Sequence, residues 1–290
     1  MFVNLNMIAA ALIGAILFYA GRLLAGRLTT LWSRGLAIML LVVGCFPSLM
    51  FLAYYFHLFG EPLWYIEWRS LPYTEVLSSL CAPFFGFISA KNAYLFPASK
   101  GLLRFPIAMV GALLVFVPYA KPVLLPVSTA AHWSNSWRDG VCLQSSPSTC
   151  GPASLATLFA QYGMKRTEQE IARASYSCAS GTELWYLVRY ARRQGLPVTC
   201  RHEPSISQVN CPAVIGTGVG RFGHFIAILN EENGRITVGD PLIGRIIMTE
   251  AEFASRYHFD GCVLDGRKAS RPPASMPGLL RYAPSMGLVQ

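Results

Sequence analysis

Four apolar runs dominate the first 120 residues, and a different rhythm follows them. The runs are Met7–Ala20 with its flank Phe2–Asn6, then Gly35–Phe56, roughly Val76–Ala90, and Phe105–Ala120. The first, second and fourth approach the roughly 20 residues that a spanning helix needs. The third is short and interrupted by Pro83, so a buried or re-entrant segment is its alternative. Beyond Lys121 a proline-bearing connector leads through about His132 and Trp133–Val141 to helical spacing from Cys150, where Leu155, Leu158, Phe159 and Tyr162 recur before Gly163. Ser148 or Thr149 can cap this helix, Thr167-x-x-Glu170 reads as the capping box of a second, and Gly181-Thr182 opens a third with Leu184, Leu187, Val188 and Ala191 on one face and Gly195 at its end.

The period then shortens to two. Ala213–Thr217 is a short apolar run, and Phe225–Leu229 and Arg235–Val238 flank Asn233-Gly234, a hairpin signal. Arg245–Met248 is a further strand candidate. Thr249-x-x-Glu252 caps a helix to about Tyr257, and Gly261–Leu264 closes the series. Helices first and an antiparallel sheet second predict an α+β domain, preceded by an all-α transmembrane domain of about four helices. The expected boundaries are 1–126 for the membrane part, 127–266 for the globular part and 267–290 for a Pro- and Ser-rich, poorly ordered tail.

Composition sharpens this division. A hydrophobic content of 53% with 13% charged residues is too apolar for a purely soluble domain. Of the 24 basic and 15 acidic residues, eight basic and three acidic fall in residues 1–121. The first connection carries Arg22, Arg27 and Arg34, the second carries Arg69 against Glu61, Glu67 and Glu75, and the third carries Lys91, Lys100 and Arg104. Cytoplasmic loops hold the excess of Lys and Arg, so four crossings place both termini and the globular domain outside. If the third run does not span, the globular domain falls inside. Met1–Met7 lacks Lys and Arg and no small-residue cleavage site follows, which argues for an uncleaved helix over a signal peptide. Arg22 and Glu75 lie near segment ends, where long side chains snorkel. The net charge of +9 carries no basic stripe with interleaved aromatics. Arg189, Arg192 and Arg193 read as a solvated helix face, and no nucleic-acid partner is expected.

The chemistry concentrates in Gln144-Ser-Ser-Pro-Ser-Thr-Cys150-Gly-Pro-Ala. A cysteine in the first turn of a helix meets unpaired N–H groups and the positive end of the dipole, which favour the reactive thiolate. Gln144, six residues upstream, can add a donor to the oxyanion position that the helix amide serves. Of five histidines, His57 lies at a membrane boundary, His132 in the connector, and His202 and His258 in polar settings. His224 opens the strand His224-Phe-Ile-Ala-Ile, and Asp240 ends the next one. The Asn233-Gly234 turn brings both to the open hairpin end, where a carboxylate can orient the imidazole and the imidazole can serve a thiol.

Gln144…Cys150-Gly151, Gly181-Thr182 opening a helix, Gly223-His224-Phe225 and Gly239-Asp240-Pro241, in this order and spacing, resemble the C39 peptidase family over roughly Cys142 to Leu264. The resemblance implies a papain-like fold, a Cys150–His224–Asp240 triad with Gln144 in the oxyanion hole, a peptide or protein substrate cut after a double-glycine leader, and a bacterial plasma-membrane setting. In that family's transporters the peptidase precedes the membrane domain and an ATPase follows; here the membrane part comes first and no Gly-x-x-x-x-Gly-Lys-Ser/Thr occurs, so ATP is not an expected partner. The expected partners are a peptide substrate and the lipid bilayer. No cofactor or metal is implied. A catalytically idle leader-binding domain and an acyl transferase are the competing functions. Cys45 and Cys81 read as packing residues. Cys142, Cys178, Cys200, Cys211 and Cys262 could form up to two disulfides in an oxidising compartment, and no Cys-x-x-Cys spacing supports a zinc site.

Overall fold

A computed structural model of the chain describes residues 5–95, 102–127, 133–219 and 222–266; the 267–290 tail, Lys100 and His132 lie outside the described residues. The helical part runs α1 (Leu5–Arg27), α2 (Leu31–Gly44), α3 (Phe46–Tyr55), α4 (Leu63–Ser70), a 3-10 helix (Thr74–Cys81), α5 (Ala82–Leu95), α6 (Arg104–Phe116) and α7 (Ala120–Leu124). Leu5–Arg27, Leu31–Tyr55 and Arg104–Leu124 are long and apolar enough to cross a membrane, and Leu63–Ser70 with Thr74–Lys91, bent by 99°, forms a fourth candidate if it is counted as one span. Leu12, Ile16, Leu36, Leu40 and Leu113 face outward, as lipid-contacting positions do.

The 3-10 helix is the hub of this bundle. Ser79 donates to the Ala10 carbonyl at 2.9 Å and Ser78 to the Val115 carbonyl at 2.6 Å, while Ser48 donates to the Ser78 carbonyl at 2.9 Å. Small hydroxyls of this kind join helices in lipid, where the hydrophobic effect between helices is lost. Gly86 lets α5 press against α1, since a Cβ there would stand 2.0 Å from the Phe18 carbonyl oxygen. Ala10 meets Ser79, Phe18 meets Gly86 and Arg22 reaches Ser89, so the third run lies parallel to α1. The 3-10 geometry at its start, more than Pro83, is what breaks its helical pattern. Arg22, Arg27, Arg34, Lys91 and Arg104 gather at the end of the bundle away from the sheet.

The second part follows with β1 (Trp137–Arg138), β2 (Val141–Cys142), α8 (Cys150–Gln161), α9 (Glu168–Ala174), α10 (Leu184–Arg193), β3 (Val198–His202), β4 (Ala213–Val219), β5 (Phe222–Glu232), β6 (Arg235–Asp240), β7 (Gly244–Thr249), α11 (Glu250–Arg256) and β8 (His258–Gly266). The antiparallel sheet has the order β3-β8-β4-β5-β6-β7, and the class is α+β. Alternation of two builds two cores: Val198, Val214 and Leu264 pack on α8 and α10, while Ala213, Ile215, Ile226, Val238 and Val263 pack on the other face with Phe253 and Tyr257. Asn233 and Gly234 both take positive φ, 52° and 71°, the primed turn that the hairpin signal required. Thr249 and Glu252 complete a capping box. The box expected at Thr167 is only half made, because the Glu170 carboxylate accepts from Tyr190 instead. Strand β3, not expected from the sequence, forms an edge from the mixed run Val-Thr-Cys-Arg-His.

Two expectations about charge fail for one reason. Arg189 is not on a solvated face, and Glu75 does not snorkel. Both are buried, Glu75 to 1% and Arg189 to 6% exposure. Glu75 pairs with Arg189 at 2.9 Å and with Arg69 at 3.2 Å, and it accepts from Asn6 at 2.8 Å. Arg192 pairs with Glu67 at 2.8 Å. Helical spacing reveals which residues share a face but not that another part of the chain covers it. Around this pair Tyr55, Tyr65 and Ile66 join the core containing Trp185, with the Tyr65 and Trp185 rings edge to face at 5.6 Å. Removing one partner of a buried ion pair strands the others, at a cost of about 3–5 kcal/mol. Glu75→Ala is therefore expected to lower the unfolding midpoint of the detergent-solubilised protein sharply, whereas Glu232→Ala at the exposed hairpin tip should leave it near wild type.

Candidate active site

Cys150 is the first residue of α8, with Thr149 at the N-cap. Thr149 does not cap: its hydroxyl donates to the Ser146 carbonyl at 3.0 Å, and no side chain takes the first-turn amides. The helix thus presents uncapped N–H groups beside the thiol, as an anion-receiving end does. Gly151 permits the docking of this turn, because a Cβ there would stand 2.9 Å from Leu187 Cδ1 and 3.2 Å from the Phe225 ring. From the next turn, Ser154 donates to the Phe225 carbonyl at 2.9 Å, so α8 is fixed to the strand that carries His224.

His224 sits on β5 and Asp240 at the end of β6. His224 Nε2 lies 3.0 Å from Asp240 Oδ1, and Cys150 lines the same cleft as the ring. Burial opposes the ring's charge, yet the bond to Asp240 and the influence of the nearby Cys150 prevail and raise its pKa to about 9. Burial likewise works against the Asp240 carboxylate. Bonds from His224, from the Leu242 amide at 2.9 Å and from the Tyr257 hydroxyl at 2.7 Å hold its pKa below the usual range.

Of the three residues expected to act together, His224 and Asp240 are in direct contact and Cys150 lines the cleft into which His224 opens. Gln144 is tied to the same turn but not aimed at the thiol: its Nε2 donates at 2.8 Å to the Ser146 carbonyl, which also accepts from the Thr149 amide. Its Oε1 is buried without a partner. The Gln144 amide also donates to the Pro241 carbonyl at 2.9 Å, linking the loop before Cys150 to the turn after Asp240. Tyr257 was not foreseen, since its only signal was a place at the end of a capped helix. Glu168 was missed as well; it accepts from the Ser145 amide at 2.7 Å and anchors the loop.

The thiol and imidazole open into a cleft of about 1040 Å³. One wall is sheet, with Gly216, Phe225, His202, Asp260 and Cys262; the other comes from the helical part, where His57–Leu63 faces it. Lys121 closes the junction, 2.7 Å from Glu183. His57, Glu61 and Glu183 bring ligand atoms within 4.8 Å of one another, but the Lys121 ammonium, 3.3 Å from His57 Nε2, already supplies the positive charge there. All eight cysteines are free.

Residues 138–269 match the model of the peptidase C39 family. A Methanothermobacter thermautotrophicus (strain Delta H) protein of unassigned function is 30% identical over 124 residues, covering 43% of this chain and 85% of its own. Its counterpart in Methanothermobacter marburgensis (strain Marburg) is 33% identical over 104 residues, covering 36% and 72%. Among solved structures, the peptidase domain of Streptococcus ComA, a bifunctional ABC transporter in quorum sensing, aligns at 19% identity and a TM-score of 0.40 over 43% of this chain and 96% of its own. A double-glycine-motif protease from an AMS/PCAT transporter, solved with its leader peptide, aligns at 22% and 0.39 over 43% and 89%.

The elevated His224 pKa has a measurable consequence. A ring that ionises at about 9 when folded and at 6.5 when free adds stability that is full below pH 6.5 and lost as pH rises through about 9. NMR titration of the His224 ring in the intact protein should give an inflection near 9, and Asp240→Asn should move it down. An unmoved inflection would show that Asp240 does not govern the ring.

Proposed function

The chain belongs to the peptidase C39 family, and from that premise we propose that it is a membrane-anchored cysteine peptidase acting through Cys150, His224 and Asp240. The observation that carries this proposal is the thiol at the uncapped start of α8, sharing a cleft with an imidazole whose Nε2 is held 3.0 Å from a buried carboxylate. Such a raised imidazole pKa stabilises an imidazolium beside a thiolate.

In the proposed reaction the Cys150 thiolate attacks the scissile carbonyl carbon and the carbonyl π electrons move to oxygen. The amide of α8 receives that oxyanion, joined by Gln144 once its side chain turns from the Ser146 carbonyl toward the thiol. As the tetrahedral species collapses, the C–N bond breaks and His224 passes its proton to the leaving amine. Neutral His224 then takes a proton from water, whose oxygen attacks the thioester and releases the acid and the thiol. Asp240, with Tyr257 and Leu242 behind it, keeps the ring in one orientation throughout.

The chain is divided near residues 126 and 127 into a membrane domain and a peptidase domain. With the basic ends of α1, α2, α5 and α6 on the cytoplasmic side, the peptidase lies on the extracytoplasmic side of a plasma membrane. The substrate class suggested by the structural neighbours is a peptide bearing a double-glycine leader; neither ATP nor nucleic acid enters the reaction.

Cys150→Ala in the full chain should abolish both cleavage of a Gly-Gly leader peptide and labelling of this thiol by iodoacetamide while the unfolding midpoint stays near wild type. Normal turnover by the variant would end the proposal. For sidedness, a membrane-impermeant maleimide applied to intact cells in the Cys150→Ala background should label Glu232→Cys and spare Arg27→Cys. The opposite pattern would put the peptidase inside.

A further inference from the structure

The sheet wall of the cleft contains an irregularity that the triad does not use. Strand β8 slips register against β4: Ile215 pairs with Val263 and Thr217 with Phe259, so Asp260, Gly261 and Cys262 bulge opposite the single residue Gly216. Bulges of this kind redirect side chains, often beside active sites. Gly261 adopts φ +85°, and the His202 ring fills the space of its missing Cβ, with Cε1 2.3 Å from that position. The Asp260 carboxylate lies over Gly216 in the same way, 2.3 and 2.6 Å from where a Cβ would stand. Gly216, His202, Asp260 and Cys262 all line the cleft that holds Cys150 and His224.

Asp260 forms no ion pair among the described residues; burial raises its pKa, and the nearby His202 and His258 rings act against that rise. Asp260 Oδ1 accepts the Cys262 amide at 2.8 Å. The neighbouring Arg201 pairs with Asp265 at 3.4 Å. The cleft's other acids are matched, Glu183 by Lys121 at 2.7 Å and Glu61 by His57 at 3.0 Å. A carboxylate exposed on a concave wall and lacking a cation is a receptor for one.

We infer that Asp260 builds a cation-selective subsite, which takes a lysine or arginine side chain of the substrate about three residues from the bond to be cut. The spacing follows from the register. Thr217 pairs with both His224 and Phe259, so the backbone of Asp260 stands two strands away from that of His224. Two spacings are about 10 Å, which an extended peptide covers in about three residues. The inference rests on the peptidase proposal for the same cleft.

Ten-residue alanine peptides with a central Gly-Gly, carrying Lys, Glu or Ala at the third residue on either side, test it. Their binding to full-length Cys150→Ala protein in detergent is read by fluorescence anisotropy at low ionic strength. A Lys peptide is expected to bind about tenfold tighter than its Glu counterpart. Asp260→Asn, which keeps an oxygen for the Cys262 amide, should level the two, and Asp260→Lys should reverse the order. A role confined to holding the bulge would produce neither change. Equal binding of Lys and Glu peptides, a preference that survives Asp260→Asn, or failure of every peptide to bind would each overturn the subsite. Wild-type cleavage of the same peptides is scored separately: an Asp260-dependent preference without Cys150-dependent cleavage keeps the subsite and removes the peptidase proposal.

Discussion

A single carboxylate, Glu75, holds the two parts of the molecule in register. It sits at the start of the 3-10 helix, out of water, between a guanidinium from the helical part and one from α10 of the sheet part. Neither arginine could be buried there alone, because desolvating an unpaired charge exceeds what packing returns. The Tyr55, Tyr65 and Trp185 contacts lie around this pair, and they supply area where the ions supply register. Once α10 is fixed, α8 and the strands packed on it are fixed as well, and Lys121 meets Glu183 beside the cleft.

Much of this was legible in the chain. Apolar runs located the helical part, the change of period located the sheet, and Asn233-Gly234 set the hairpin that brings His224 to Asp240. The Cys-Gly pair marks the helix start, where Leu187 and the Phe225 ring pack 2.9 and 3.2 Å from the position a Cβ at residue 151 would take. Signals of this kind are local or rest on strict turn chemistry, so one sequence suffices to read them.

What escaped was what depends on the meeting of distant segments. Arg189 carries the same helical spacing whether water or Glu75 faces it. Tyr257 reaches Asp240 only because α11 folds under the sheet. The Glu170 carboxylate left its capping role for Tyr190, a competitor that no window of a few residues contains. Gln144 was located by spacing, yet its present hydrogen bond to Ser146 was not, since the orientation of an amide depends on its tertiary neighbours.

The shared wall of the cleft bears on how this protein should be handled. His57–Leu63 belongs to the helices, while the facing wall belongs to the sheet. Cutting the gene after the last long apolar helix would yield a fragment with Trp185 and Arg189 bared to solvent and one wall of the cleft missing. Such a fragment is a poor surrogate for the whole, and preferences measured on it would describe one wall rather than the two-walled cleft of the intact chain.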